Sequence, residues 1–357
     1  MRHFHPIEIK DVTRETPDAV SIGFNIPDAL KDSFKYEPGQ HLTLKATVNG
    51  EELRRTYSIY RSVDDDEPRV AVRRVQDGRF SNFANDVLKA GDVIDVMPPS
   101  GHFNVPLGAH GPRLFAAFAA GSGITPVLSI IKTTLEREPD AHVMLFYGNR
   151  SSTSTLFRRE IADLKNRFMS RFSYFFFMTG EKLEMDFFNG RIDGDKVAQM
   201  DHKLMDLSAI DHAFVCGPGA MIDSVCEALT QAGLDRKQVH YERFNTTDQQ
   251  ARPPKRVKTD GVASDTARLA IIIDGEEKLV ESASRDVTVL DTATEAGLDV
   301  PFSCKGGVCC TCRAKVMSGD VEMVRNQGLE EEEVEAGYVL TCQSFPTSDS
   351  VTVSFDA

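Results

Sequence analysis

Leu114-Phe-Ala-Ala-Phe-Ala-Ala120 runs straight into Gly121-Ser-Gly-Ile-Thr-Pro126, an uninterrupted apolar stretch followed by a glycine turn and then a helical pattern. A short continuous apolar run closed by glycine reads as a strand covered on both faces. The helix expected next, Pro126 to Arg137, carries apolar residues at helical spacing. A glycine-rich strand-to-helix turn suits a pyrophosphate, because glycines allow close backbone approach and a helix N-terminus favours negative charge. Gly121, Ser122, Gly123, Thr125 and Pro126 are therefore candidate nucleotide-binding residues, with proline placed for the first helical position. A tight turn of purely structural purpose is the competing reading. The G-x-G-x-x-G pattern is absent, which disfavours an ordinary Rossmann dehydrogenase.

Downstream the rhythm continues. Strand Val143–Tyr147, helix Ser154–Phe168, strand Phe172–Met178, helix Gly194–Met200, strand His212–Cys216, helix Ala220–Ala232 and strand Gln238–Arg243 follow one another. Alternating strands and helices predict a doubly wound parallel sheet. Cys216-Gly217-Pro218 closes one of its strands, where open sheets place their ligands, although a lone cysteine there is also ordinary packing. Arg150, just after the second strand, could pair with a 2′-phosphate or be a solvated loop charge.

Upstream, His3 to Pro99 reads as short strands punctuated by glycines: His41–Val48, Thr56–Tyr60, Arg69–Val75 and Asp92–Met97, with a helix at Ser81–Lys89. This pattern predicts an antiparallel barrel or sandwich. One strand carries Arg55-Thr-Tyr57-Ser58, in which arginine can pair with a phosphate and tyrosine can stack on a planar ring; read alone it is equally an ordinary strand.

The segment Asn245–Ala263 has almost no apolar content and reads as a linker. Beyond it come strand Arg268–Ile273, a turn at Asp274-Gly275, strand Glu277–Val280, helix Val289–Ala296, a Cys-Gly loop, strand Arg313–Met317, a short helix and strand Val351–Phe355. Five of the seven cysteines fall here. Cys304, Cys309, Cys312 and Cys342 have the C-x4-C-x2-C...C spacing of a plant-type 2Fe-2S centre. Thiolates stabilise iron in both charge states, and Gly306 and Gly307 let backbone amides approach the cluster sulfurs. Structural zinc competes, but its usual C-x2-C pairs fit this spacing poorly. Cys310 as ligand would give C-x5-C-x-C, so it is expected to be a small buried thiol.

The chain has 357 residues, enough for two or three domains, and its 41% hydrophobic and 27% charged content is that of globular protein. Net charge is -13, and residues 264–357 hold 18 acids against 7 bases, a net of -11. So negative a region disfavours nucleic acid and anionic lipid and favours a partner with a basic docking patch. No apolar run approaches the ~20 residues of a membrane span, and the start lacks an apolar signal core. A cytoplasmic protein without a membrane partner is expected.

Taken in order, Arg55-Thr56-Tyr57-Ser58, Gly78-Arg79-Phe80-Ser81, Gly121 to Pro126 and Cys216-Gly217-Pro218, followed by the spaced cysteines, resemble the ferredoxin-NADP reductase family fused to a plant-type ferredoxin domain. Finer segments (PGQHLTLKA, AAGSGITP, GRIDG, ERFN, CKGGVC) are similar to one subgroup of it, the reductase subunits of phenylacetyl-CoA epoxidase complexes. The resemblance implies an FAD-binding antiparallel β-barrel over residues 1–107, an α/β parallel-sheet NADP domain over 108–245, a linker over 246–263 and an α+β β-grasp 2Fe-2S domain over 264–357. It implies that Arg55 binds flavin phosphate, Tyr57 packs on the ring and Ser58 contacts its N5 region. Gly78, Phe80 and Ser81 match the flavin pyrophosphate segment, and Ser81 is expected at a helix start. Phe244 would cover the flavin face, and Cys216 would lie beside the nicotinamide C4. The implied activity carries electrons from NADPH to FAD to the 2Fe-2S cluster (Cys304, Cys309, Cys312, Cys342) and on to a di-iron oxygenase component of that complex. A reductase for another oxygenase or hydroxylase, and an iron-sulfur or zinc protein with an inactive reductase half, remain alternatives.

Overall fold

The computed structural model describes residues 3–65, 67–108, 111–244 and 265–357. The expected linker, 246–263, lies outside them. The chain divides into two units, His5–Gly50 with Tyr57–Phe244, and Met1–Phe4 and Glu51–Thr56 with Asn245–Ala357. Apart from Glu51–Thr56, the N-terminal strands thus share one unit with the parallel sheet.

The N-terminal strands are β1 (His5–Thr16), β2 (Ala19–Asn25), β3 (His41–Val48), β4 (Glu51–Ser58), β5 (Arg69–Arg73) and, after helix α1 (Arg79–Asp86), β6 (Val93–Ser100). They form a six-stranded sheet in the order β4-β3-β6-β1-β2-β5. A bridge between Ile59, just beyond β4, and Val70 of β5 draws the two ends of the sheet together. Alternation buries Ile7 and Ile9 of β1 completely. Helix α1 begins at Arg79 after Gly78, two residues before the expected Ser81 start. Ser81 is therefore inside the first turn, and its hydroxyl accepts the Val75 N–H at 3.1 Å instead of capping the helix.

The parallel layer contains β7 (Leu114–Ala120), α2 (Ile124–Arg137), β8 (His142–Asn149), α3 (Arg158–Arg167), β9 (Phe172–Met178), α4 (Gly194–Met200), β10 (His212–Gly217), α5 (Gly219–Gln231) and β11 (Val239–Arg243). Strand order is β11-β10-β7-β8-β9, so the winding reverses between β7 and β10. Alternate residues of β7 feed opposite cores: Phe115, Ala117 and Ala119 pack with Ile124, Val127 and Leu128 of α2, while Ala116 and Phe118 pack with Val225 and Leu229 of α5. Each such fully buried Leu, Val or Phe stabilises the fold by about 1.5–3 kcal/mol relative to exposure. Two starts differ from the periodicity. A 3-10 turn over Gly121–Gly123 precedes α2, which leaves Pro126 third in the helix. Helix α3 begins only at Arg158, because Phe157 takes a left-handed conformation at φ 56°.

The C-terminal unit holds β12 (Arg268–Ile273), β13 (Glu276–Glu281), α6 (Val289–Glu295), β14 (Arg313–Ser318), β15 (Val321–Met323), α7 (Glu331–Glu335), β16 (Tyr338–Leu340), β17 (Ser344–Pro346) and β18 (Ser350–Ser354). Its main sheet runs β13-β12-β18-β14-β16, with β12 and β18 parallel at the centre. Thr288 caps α6 by accepting the Asp291 N–H at 3.0 Å, which lets Val289, Leu290 and Ala293 close over Leu269, Ile271, Val351 and Val353. One helix held across a mixed sheet is the β-grasp arrangement expected. Among the described residues no helix is long and apolar enough to cross a membrane.

Candidate active site and cluster loop

The glycine turn lies where the winding reverses, the usual crevice of an open α/β sheet. A Cβ on Gly123 would sit 2.2 Å from the Cys216 carbonyl oxygen, so this glycine is required for β10 to pass under the start of α2. Gly217 is similarly confined by Met221 and Ala120. Gly121 has φ +57°, and its carbonyl accepts the Tyr147 hydroxyl at 2.9 Å. Thr125 and Pro126 are buried, and the Thr125 hydroxyl donates to the Ser122 carbonyl at 2.9 Å. Pro218 is the N-cap residue of α5. Packing thus explains Gly123, Gly217, Thr125 and Pro126, while Gly121 and the half-buried Ser122 border the crevice.

Three side chains from distant parts of the sequence converge beside that turn. Parallel register sets Cys216 between Ala119 of β7 and Glu242 of β11. The Ser58 hydroxyl, at the end of β4, donates to the Glu242 carboxylate at 3.2 Å. Burial pushes Glu242 up to about 8, against the opposing pull of the Ser58 hydrogen bond. Burial thus favours the protonated carboxyl, and Ser58 is its hydrogen-bond partner. Burial, and then the neighbouring Glu242, push the Cys216 thiol well above its ordinary range. Cys216 is therefore a neutral, fully buried thiol suited to contact chemistry and not to nucleophilic attack. Phe244, one residue beyond β11, packs against the core cluster that contains Cys216.

Arg55 and Tyr57 are two apart on β4 and so point to one side of the strand. The Arg55 guanidinium donates to the Arg54 carbonyl at 2.8 Å. Tyr57 lies 5.7 Å from the fully buried ring of Phe80, centroid to centroid. Phe80 follows Gly78, where a Cβ would fall 2.3 Å from the Ser81 hydroxyl; this gives a close-walled turn at the head of α1. Arg150 is exposed, and among the described residues no carboxylate pairs with its guanidinium. Its carbonyl accepts the Gly180 N–H at 2.7 Å, and nearby Glu181 accepts both the N–H and the hydroxyl of Ser152.

In the C-terminal unit Cys304 and Cys309 are half-buried, and Cys312 and Cys342 are buried. The Cys309 thiol and the backbone N–H groups of Gly306, Val308 and Cys309 pull Cys304 down to about 6 against its burial. The Cys342 thiol, then burial, and then the neighbouring Cys309 and Cys304 push the Cys312 thiol well above its ordinary range. Gly307 turns the loop at φ +77°, and its carbonyl accepts the Gln327 N–H at 3.0 Å. Cys310 faces elsewhere: its thiol donates to the Val308 carbonyl at 3.9 Å and lies against Gly328, where a Cβ would meet the sulfur at 2.5 Å.

Models of three domain families match the chain: an oxidoreductase FAD-binding domain over 6–105, an oxidoreductase NAD-binding domain over 118–227 and a 2Fe-2S iron-sulfur cluster binding domain over 271–347. The chain is 44% identical to a component of the 1,2-phenylacetyl-CoA epoxidase of Escherichia coli K12, covering 100% of this chain and 99% of the relative. It is 35% identical to the ferredoxin reductase component of 3-ketosteroid-9-alpha-monooxygenase from Rhodococcus rhodochrous, covering 98% and 96%. The chain belongs to the ferredoxin-reductase family. Phthalate dioxygenase reductase shares the fold at a TM-score of 0.59 and 23% identity, covering 99% of this chain and 98% of that one.

As a ferredoxin-type reductase the protein uses FAD, a nicotinamide nucleotide and a 2Fe-2S cluster. The residues fit these groups. Four thiols that act on one another, with backbone N–H groups turned toward Cys304, fit the soft, hydrogen-bonded donor set an iron-sulfur centre needs, and the matched domain family binds a 2Fe-2S cluster. Tyr57 beside the buried Phe80 ring and the close-walled Gly78 turn offer an aromatic, tightly bounded surface that fits a flavin. Glu242 is the site-lining acid that sequence reasoning did not single out. Only the parallel pairing of β11 with β10 places it beside Cys216.

Proposed function

We propose that this reductase oxidises NADPH and passes electrons, one at a time, to the oxygenase component of a phenylacetyl-CoA epoxidase complex. The observation that carries the acceptor is the 44% identity to the epoxidase component over the whole chain. FAD, when bound, supplies the conversion from two-electron to one-electron chemistry. Arg55, Tyr57, Gly78, Phe80 and Ser81 hold the flavin, and Gly121, Ser122, Gly123, Thr125, Pro126, Gly217 and Pro218 shape the nucleotide crevice. Ser58 and Glu242 keep a proton at the reacting end, and Cys216 and Phe244 set the approach of the nicotinamide. Arg150, a cation without a carboxylate partner among the described residues, supports NADPH over NADH by offering its charge to a 2′-phosphate. Cys304, Cys309, Cys312 and Cys342 hold the cluster. The acidic last quarter, net -11, suits a basic patch on the oxygenase. Free ligand thiols suit the reducing cytoplasm.

The test is reconstitution with purified epoxidase components, following NADPH consumed and epoxide formed. Coupled turnover at near-stoichiometric yield is expected. Faster transfer to a steroid or other hydroxylase component, with none to the epoxidase, would assign the chain to a different oxygenase.

A further inference from the structure

Helix α2 presents Ser129, Lys132, Thr133, Glu136 and Arg137 on one face, and all five engage the segment that leaves the flavin strand β4. Ser129 donates to the Arg61 carbonyl at 2.6 Å, Thr133 accepts the Val63 N–H at 3.3 Å, Glu136 accepts the Ser62 hydroxyl at 2.5 Å and Arg137 pairs with Asp64 at 2.7 Å. Lys132 is the buried charge among them, 5% exposed. Its ammonium donates to the Tyr60 carbonyl at 3.1 Å and to Glu160 of α3 at 2.5 Å, and it lies 5.1 Å from the Tyr60 ring centroid. Tyr60 in turn stacks at 4.3 Å on Phe157, the residue held left-handed at φ 56° immediately before α3. Such a conformation in a bulky residue persists only where its surroundings over-determine it.

Three elements therefore meet at one ammonium: the exit of the flavin strand two residues past Ser58, the helix that begins at the glycine turn, and the helix that follows Arg150. A buried ion pair is a poor source of stability, because apolar residues of equal volume avoid its desolvation. What it provides is a single allowed register, since Lys132 must satisfy the Tyr60 carbonyl and Glu160 together. We propose that Lys132 is a positioning residue that fixes the nucleotide turn against the flavin strand and so sets the distance for hydride transfer. This rests on the reductase reading above.

The experiment compares wild type, Lys132→Met and the double variant Lys132→Met/Glu160→Gln, all as FAD-loaded full-length protein. Lys132→Met alone leaves Glu160 without its cation and is expected to melt early. The double variant removes that penalty and is expected to keep FAD and melt near wild type. If Lys132 positions, amide exchange at Ser62 and Val63 rises in the double variant, and flavin reduction at saturating NADPH slows about tenfold or more. A primary isotope effect with deuterated NADPH should remain. A double variant with wild-type exchange at Ser62 and Val63, or with reduction within about twofold of wild type, overturns the proposal. Wild-type protein that binds FAD yet is reduced by neither NADPH nor NADH would instead overturn the reductase reading, and the exchange comparison would still decide whether Lys132 holds the two lobes together.

Discussion

The hydride end and the cluster loop reach their electrostatics by opposite means. At Ser58, Cys216 and Glu242, burial acts on side chains: it raises the acid to about 8 and, with Glu242 adding to it, keeps the thiol neutral. At Cys304 to Cys312 the Cys309 thiol and then the main chain act, with Gly306, Val308 and Cys309 N–H groups aimed at the Cys304 sulfur and with Lys305, Gly307 and Cys310 all at positive φ. The first region is tuned by what excludes water, the second by how the backbone is bent. Substitution should therefore change rates in the first region and cofactor content in the second.

The largest effect is expected at the cluster. Cys309→Ser should abolish the visible absorption of the cluster and its acid-labile sulfide, because a hydroxyl is a poor ligand for iron in this soft donor set. NADPH oxidation with ferricyanide should persist, while transfer to the oxygenase falls by more than about a hundredfold. Retained absorption would mean that another thiol closes the site.

Next in size is Gly123→Ala. The new methyl would stand 2.2 Å from the Cys216 carbonyl oxygen, and backbone cannot step aside as a flexible side chain does. Overpacking of this kind costs about 1–3 kcal/mol or more. A lowered melting midpoint with normal cluster content would separate the two regions, whereas wild-type stability would show that the turn has room.

Glu242 gives a pH test of the same region. An acid whose folded pKa is raised binds its proton more tightly folded than unfolded, so stability falls as pH rises from near 4.5 and levels off above about 8. Glu242→Gln should remove that slope and gain relative stability at pH 9, with little change at pH 4. Flavin reduction should also lose any inflection near pH 8. An unchanged slope in chemical denaturation between pH 5 and 9 would show that the carboxyl is ionised throughout. Cys216→Ala is expected to do less, slowing flavin reduction about tenfold through a misplaced nicotinamide while FAD and cluster content stay constant.

How legible each region was in the sequence follows the same division. The proposed cluster ligands lie within 39 residues, and spacing alone singles out Cys309 over Cys310. The proposed hydride end is assembled across 185 residues, from Ser58 to Glu242, by strand register. Short motifs marked Ser58 and Cys216, but nothing local marks Glu242 until β11 is known to lie beside β10. Lys132 was hidden for a related reason, since a lysine on a periodic helix reads as a solvent face until another lobe covers it. The expected start of α3 failed at Phe157, whose left-handed turn is imposed by its stack on Tyr60 and not by local propensity.

The smallest effect belongs to Cys310, where side-chain and backbone reasoning oppose each other. Its thiol fills the space between Val308 and Gly328, so Cys310→Ala loses that packing and should cost about 1 kcal/mol. Its φ of +54° is also unfavourable for any residue with a Cβ, by about 1–2 kcal/mol, and alanine keeps that cost. Cys310→Gly loses the same contacts but relieves the backbone, while the greater freedom of the unfolded chain returns about 0.5–1 kcal/mol of destabilisation. The two variants should therefore differ in the unusual direction, with glycine as stable as alanine or more so in thermal melts. Both should keep the visible cluster spectrum and electron transfer to the oxygenase. Loss of cluster in both variants, alongside an intact cluster in Cys309→Ala, would make Cys310 the ligand and require the loop to close through a different backbone path.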